Sequence, residues 1–371
     1  IFGLKLETGG GISNAGANKS LPGNADGVYD QGETTLVRTY GRLAIDMFAA
    51  EISKKKKGSY KPFLEEKMDD RMKALTKECN RQLFSAGDGK LAITGTGAAS
   101  STQTLSLAYG VTNGGNPIKH VYKGDQLAFY DNSGVFIARR TVTAKSATKG
   151  NATGTVTLSS SVTSVSSGWV AKSTDDDDNY STGEVKGLLA GMAQSSTFQG
   201  VPIGSTYQAA RLHNSGTLRD VNDGLVMSLF TTIQTDTDES PDLIVTRPGI
   251  IQKYSEIFLP IRRIDGQDVK LKGGFKPLSV FQHASGEAPL LPDADCPGGR
   301  LFALNTSYIR KLDMIGEEWA QFDGAELTRI NDKDAAEGYV RKYWQMAWLR
   351  LNVHGVIEDI NDVTTADRLY S

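Results

Sequence analysis

The sequence is poor in the residues that most often carry chemistry. It has two cysteines in 371 residues, Cys79 and Cys296. A pair so far apart in sequence is no disulfide framework, and the expectation is a reducing compartment or indifference to redox. Histidine occurs four times, at His120, His213, His283 and His354. None stands at metal-ligand spacing from Cys, Asp or Glu, and HExxH, CxxC and GxSxG are all absent. Neither sign of charge dominates: 41 Lys+Arg against 43 Asp+Glu leave −2. That excludes a global pull on nucleic acid or anionic lipid. No apolar run approaches the ~18 residues of a membrane-spanning helix, so no membrane partner is expected.

The apparent motifs fail on spacing. Gly87-Asp88-Gly89-Lys90 suggests a phosphate loop, but it follows a helical pattern instead of preceding one. The glycines from Gly9 to Gly16 have no buried strand before them and no helix after them. Asp175–Asp178 lacks the alternation of a calcium loop and reads as a solvated linker. Lys54–Lys57 reads as a solvated helix end, with an acidic partner or a phosphate backbone as the sharper alternative. Asp293 with Asp295, and Glu317 with Glu318, are candidate carboxylate pairs that nothing in the sequence positions; surface placement is the default. No catalytic residue, cofactor or metal is expected. The chain opens on Ile1 with no charged segment leading into an apolar one, so a signal peptide is not expected.

What is present is glycine, 40 residues of it, and one long helix. From Tyr60 to Ser85 the apolar residues Phe63, Leu64, Met68, Met72, Leu75, Cys79, Leu83 and Phe84 recur at helical spacing. Acidic residues crowd the first half and basic ones the second, both favourable to the helix dipole. Such a helix would be about 40 Å long, with Gly87 and Gly89 as its stop. Residues 1–33 are too poor in apolar side chains to build a core. They are either a disordered arm or an extended hairpin that folds only against a neighbour. Thr34–Ile45 reads as a strand leading into a short helix, Asp46–Ser53.

Leu91–Lys172 has no helical period. Its β-prone runs, Thr104–Tyr109, His120–Tyr130, Val135–Ala144, Gly154–Leu158 and Gly168–Ala171, are separated by Gly, Asn and Ser. They predict a barrel-like or sandwich unit of about 80 residues. A short helix over Val185–Ala193 follows. Next come a helix over Leu218–Gln234 capped by Ser215 or Thr217, a strand Leu243–Thr246, and a helix Gly249–Ile257, a layered α/β core. Strands are predicted at Val269–Leu271, Leu278–Phe281 and Arg300–Leu304, with Pro289–Gly299 as a loop. Residues 326–331 alternate. Tyr339–Ile360 reads as one long strand or a strand pair, a natural partner for the long helix.

This order of parts resembles the major capsid protein of tailed bacteriophages, the Hong Kong ninety-seven-like fold shared with herpesvirus capsid floors. The resemblance rests on Asn80–Ala92 (NRQLFSAGDGKLA), on LRDVNDGLVMSLFTTIQ followed by PDLIVTRPGIIQKYSEIF, on PLLPDADCPGGRLFALN, and on RKYWQMAWLRLNVHGVIEDI. It implies an α+β fold. Residues 1–45 would hold the N-terminal arm and E-loop, 46–90 the peripheral domain with its spine helix, and 91–172 an inserted β-domain. Residues 173–335 would form the axial domain and 336–371 the C-terminal peripheral strands.

The implied function is a structural protein, not an enzyme, that self-assembles into hexamers and pentamers of an icosahedral head around double-stranded DNA. Assembly would take place in the host cytoplasm and the product would be the virion capsid. Further implied partners are portal, scaffolding protein or segment, maturation protease and decoration protein, with weak non-specific contact to the packaged DNA. Asn14, Lys19, Ser20 and Asn24 would make the intersubunit E-loop contact. Some members crosslink an E-loop lysine to a neighbour's asparagine. Lys19 lies in the implied loop, but no asparagine partner is identifiable, and non-covalent assembly is expected. The rival reading is a β-rich receptor- or carbohydrate-binding surface protein, suggested by the Ser/Thr/Gly-rich β segment.

Overall fold

The computed structural model describes residues 2–7, 28–48, 63–95, 100–109, 116–146, 153–163, 168–172, 184–204, 207–257, 280–283, 286–321 and 324–362. The chain begins with a hairpin, β1 (Phe2–Glu7) against β2 (Val28–Gly32), antiparallel. β3 (Val37–Asp46) follows, and Met47 and Phe48 start a helical turn. The rest of the helix expected to Ser53, and the lysine run after it, lie outside the described residues.

The long helix α1 spans Phe63–Leu83, 21 residues. The described part is therefore about 31 Å long; it ends two residues before Ser85, and residues 60–62 lie outside the described residues. Ser85 Oγ accepts from the Gly87 N–H at 2.8 Å, and Gly87 and Gly89 take positive φ of 80° and 72°. These are left-handed conformations that glycine adopts without strain, and they turn the chain away from the helix.

β4 (Ala92–Thr94), β5 (Ser100–Leu107), β6 (Gln126–Tyr130), β7 (Phe136–Ser146), β8 (Thr153–Val162) and β9 (Trp169–Lys172) close into a barrel in the order β4-β5-β8-β7-β6-β9. Closure leaves no open strand edge. Leu105, Leu127, Phe129, Val142, Val156 and Val170 fill the interior.

Beyond the barrel lie α2 (Leu188–Gly191) and a small hairpin, β10 (Thr197–Phe198) with β11 (Val201–Pro202). After β12 (Ala210–Leu212) comes α3 (Asp223–Thr237). Its cap is Asn222, whose side chain accepts from the Leu225 N–H at 2.8 Å. The helix starts five residues later than the pattern suggests, because Ser215 and Gly216 turn the chain with φ of 53° and 82°. Leu218 is consequently outside the helix and exposed.

β13 (Leu243–Thr246), α4 (Pro248–Ile257), β14 (Val280–His283), β15 (Gly286–Pro292) and β16 (Leu301–Leu304) follow. After them come β17 (Ile309–Trp319), β18 (Thr328–Arg329), β19 (Ala335–Trp348) and β20 (Gly355–Ile357).

Two sheets carry the rest. One has six strands in the order β12-β20-β16-β13-β15-β14. Its central residues alternate between two cores. Ile244, Leu301, Ala303 and Ile357 meet α3 and α4. Val245, Phe302, Leu304 and Val356 join the cluster that contains Leu75, Cys79 and Phe84. In the other sheet β19 pairs with β17, β18 and β3. Val340, Trp344, Met346 and Trp348 of β19 complete the cluster. At its centre Gly191 lets α2 approach Trp348: a Cβ there would come within 2.5 Å of the indole.

Three features of the strands have physical causes. Residues 289–292, read as part of a loop, are the second half of β15. Pro289 sits where the pairing of β15 passes from β14 to β13, and Pro292 is its last residue. β17 has no strand period, because two register shifts, at Asp313/Ile315 and Ile315/Glu318, break the alternation. Its partly covered residues Ile309, Leu312, Ile315 and Trp319 therefore recur every three or four positions. The C-terminal run is two strands in different sheets, broken after Trp348. Residues 269–271 and 278–279 lie outside the described residues.

His354 sits at that break, fully buried, its ring edge-on to Trp348 with centroids 5.1 Å apart. Its Nδ1 accepts from the Asn305 N–H at 3.0 Å. Burial lowers its pKa to about 3, so it stays neutral in the fold. Below pH ~6.5 the unfolded chain takes up a proton that the folded chain refuses. The contribution is therefore complete above that pH and is lost progressively as pH falls toward 3. Thermal melts should show the melting temperature falling with acid across this window. His354→Asn, which keeps an acceptor near Nδ1, should melt lower at pH 7 but with a flatter profile.

Candidate assembly surfaces

The N-terminal hairpin projects from a tightly built base. Tyr29 on β2 is 69% exposed, whereas Gly32 at its end is buried. From there the Glu33 N–H donates to the Gln199 carbonyl at 2.8 Å. Gln199 and Gly200 form the β10–β11 turn, with φ of 48° and 86°. The Gln199 side chain is buried and donates to the Met346 carbonyl at 2.8 Å. A second buried glutamine, Gln345, donates to the Thr35 carbonyl at 3.1 Å and accepts from the Lys186 N–H at 2.8 Å. Two buried amides thus fix the backbone on which the hairpin stands. Asn14, Lys19, Ser20 and Asn24, the residues expected to touch a neighbour, lie outside the described residues.

A second surface is the face of the β3–β19 sheet turned away from α1. Gly41 marks the other face: a Cβ there would meet Val340 and Arg71. By strand alternation Arg38, Tyr40, Arg42, Tyr339, Arg341 and Tyr343 share the outer face. Tyr40 is 52% exposed and lies edge-on to both Tyr339 and Tyr343, with centroids 5.8 Å apart. The Tyr40 and Tyr343 hydroxyls are 2.8 Å apart. Arg38 stands 6.0 Å over the Tyr343 ring, Arg42 pairs with Glu337, and Arg341 pairs with Glu318 at 2.8 Å. Tyrosine and arginine together are the composition of protein interfaces. On β17 nearby, Met314 is 71% exposed.

The carboxylate pairs correct the expectation of plain surface residues. Asp295 is buried by its side chain and accepts from Asn80 of α1 at 2.8 Å, from Lys119, and from His120 Nε2 at 2.9 Å. Burial pushes its pKa up, but the His120, Lys119 and Asn80 hydrogen bonds prevail and hold it well below the carboxylate range. Asp293 accepts from Asn80 at 3.2 Å and from the Asp295 N–H at 2.7 Å. Glu317 accepts from Lys342 and Thr76, both at 2.6 Å. Of the four, Glu318 fits the surface expectation best, being half exposed. Beside this seam Arg81 is held between Glu78 and Glu184, and Lys172 reaches Glu78 at 3.2 Å. Burial raises the Glu78 pKa, and the Arg81 and Lys172 charges more than reverse this.

Among the described residues no group of three or more His, Cys, Asp and Glu is placed to hold a metal. Both thiols are buried and free. Burial pushes Cys79 up to about 11 and Cys296 further, so neither is a thiolate near neutrality. No described helix is long and apolar enough to cross a membrane.

Sequence reasoning missed Gln199, Gln345 and the His120–Asp295 contact. The last joins residues 175 positions apart, and no local pattern announces such a contact. Gln345→Leu and Gln199→Leu should each destabilise the subunit by about 1–3 kcal/mol, because each leaves buried backbone groups unpaired. Melts of the purified subunit would measure the loss. Amide exchange should rise first at 33–36.

No protein-family model and no curated protein sequence matches the chain. Solved structures do. The cyanophage A-1(L) capsid asymmetric unit aligns over 97% of this chain and 87% of that one, at TM-score 0.51 and 13% identity. The holo-SrpI encapsulin complex from Synechococcus elongatus PCC 7942 covers 90% and 78%, at 0.43 and 10%. The satellite phage P4 procapsid including the size determination protein covers 95% and 80%, at 0.41 and 10%. Identity this low speaks to fold alone, and the cyanophage alignment carries the argument. With its one-sided long helix between two sheets and a projecting N-terminal hairpin, the chain has the fold of phage major capsid proteins.

Proposed function

We propose that this chain is a shell-building structural protein, the major capsid subunit of an icosahedral phage head. The observation that carries this reading is the capsid fold combined with an N-terminal two-stranded hairpin in a segment too poor in apolar residues to build a core. β1 pairs with β2, and Tyr29 stands in solvent. Two strands alone are marginal in water, so the hairpin would gain its covering surface from another copy. Hexamers and pentamers enclosing double-stranded DNA are the assemblies this implies, and the virion is their location. Asn14, Lys19, Ser20 and Asn24 are proposed as the hairpin's contact residues, joined without covalent crosslinks. Portal, scaffold, maturation protease and decoration protein are proposed on the resemblance alone. With a net charge of −2, contact with DNA would be weak and local.

The role is proposed as structural and non-enzymatic, because the ionisable groups of the seams pair with one another. The receptor- or carbohydrate-binding reading is less favoured. The stacked Tyr130 and Trp169 of the barrel, 4.2 Å apart, are both buried and present no aromatic platform.

Size-exclusion chromatography with negative-stain microscopy of the purified chain should show capsomers or closed shells. A monodisperse monomer at micromolar concentration would defeat the proposal. Replacing residues 8–27 by a short Gly-Ser turn should preserve the melting transition of the subunit while abolishing shells.

A further inference from the structure

We propose that Asp295 is a three-way lock that sets how the β-barrel is carried by the rest of the subunit, so that the barrel is a folded limb releasable as a unit. The described barrel closes on itself, and every residue of its interior cluster lies between Leu91 and Val170. Its second cluster, Ala128, Tyr130, Phe136, Trp169 and Ala171, also belongs to the barrel alone. Of the described barrel segment, Tyr109 packs against the main core.

The side-chain hydrogen bonds that cross the seam are polar and charged. Lys119 and His120 reach Asp295, Lys172 reaches Glu78, and Tyr109 donates to Asp88. Among the described residues Asp295 engages three bodies. Its backbone follows β15 of the six-stranded sheet, its carboxylate accepts from Asn80 of α1, and the same carboxylate accepts from the two barrel donors.

A seam of this kind differs from an apolar one. Apolar contact tolerates sliding, whereas a buried carboxylate with three directed donors holds one geometry and strongly resists losing a partner. Such a pair contributes orientation more than net stability. The barrel therefore keeps its fold by its own core and its angle by the lock. Breaking the lock should free the seam and leave the barrel intact.

Hydrogen–deuterium exchange on the full-length chain tests this, comparing Asp295→Asn with the unaltered protein. Exchange in peptides covering 116–121 and 293–298 should quicken at least about tenfold, with β6 and β8 as protected as before. Unchanged exchange at the seam would overturn the lock. Loss of protection throughout the barrel strands would overturn the independent limb. The double variant Lys119→Met/His120→Leu removes both barrel donors and leaves the carboxylate with Asn80. It should produce the same pattern, and it carries the test if Asp295→Asn does not fold. The readout is local and does not depend on shell formation, so a failure here is separable from a failure of the proposed function.

Discussion

The structure depends on the one-sided burial of α1. Leu75 and Cys79 of the helix, with Phe84 just beyond it, enter a single cluster with β19 of one sheet and β16 and β20 of the other. Glu65, Glu66, Asp69 and Asp70 stay in solvent. At ~25 cal/mol per Å² of apolar surface, each large side chain in that seam contributes about 1.5–3 kcal/mol. The helix is the element against which both sheets are positioned. Its early turns meet Leu43 and Ile45 of β3 through Leu64 and Met68, and its last turns meet the six-stranded sheet. Register along the helix therefore sets the relation between the two sheets.

Around that axis the interactions divide by kind. Within each body the contacts are apolar, as in the barrel interior and in the layer between α3, α4 and the six-stranded sheet. At the barrel seam and under the hairpin they are largely polar: Lys172 with Glu78, Asp295 with Lys119 and His120, and Gln199 and Gln345 beneath β2. Burial accounts for why parts stay folded, and directed hydrogen bonds account for why they keep their angles.

The sequence disclosed what local physics controls. The apolar spacing and dipole-matched charges of α1, the turn-separated runs of the barrel, and the buried run Leu243–Thr246 all emerge close to where the structure has them. It hid what depends on partners distant in the chain. β17 loses its alternation to two register shifts, so its sequence carries no strand period. Pro289 in β15 pairs with Val280 at the start of the described part of β14, and the residues after it pair with β13. The start of α3 was set by a Ser215–Gly216 turn and the Asn222 cap instead of by the apolar period. The carboxylates at 293 and 295 looked idle because their partners, Asn80 and His120, belong to a helix and to a barrel turn far upstream.

Strongly perturbed ionisable groups often mark active sites, and this chain has several, so their setting decides what they mean. An active-site carboxylate is tuned while facing a cleft where a substrate can arrive. Glu78 and Asp295 instead have their acceptor positions filled by Arg81, Lys172, Lys119, His120 and Asn80. His354 is neutral because it is sealed in the core, with its Nδ1 already used by a backbone N–H. Cys79 and Cys296 are moved away from reactivity, not toward it. The same proton affinities that would suggest catalysis in a cleft therefore report seams and cores here. What remains free on the described surface is area: the Tyr40 face, Tyr29 on the hairpin, and Met314 beside β19. The proposed shell-building role draws on that exposed area and on the capsid fold.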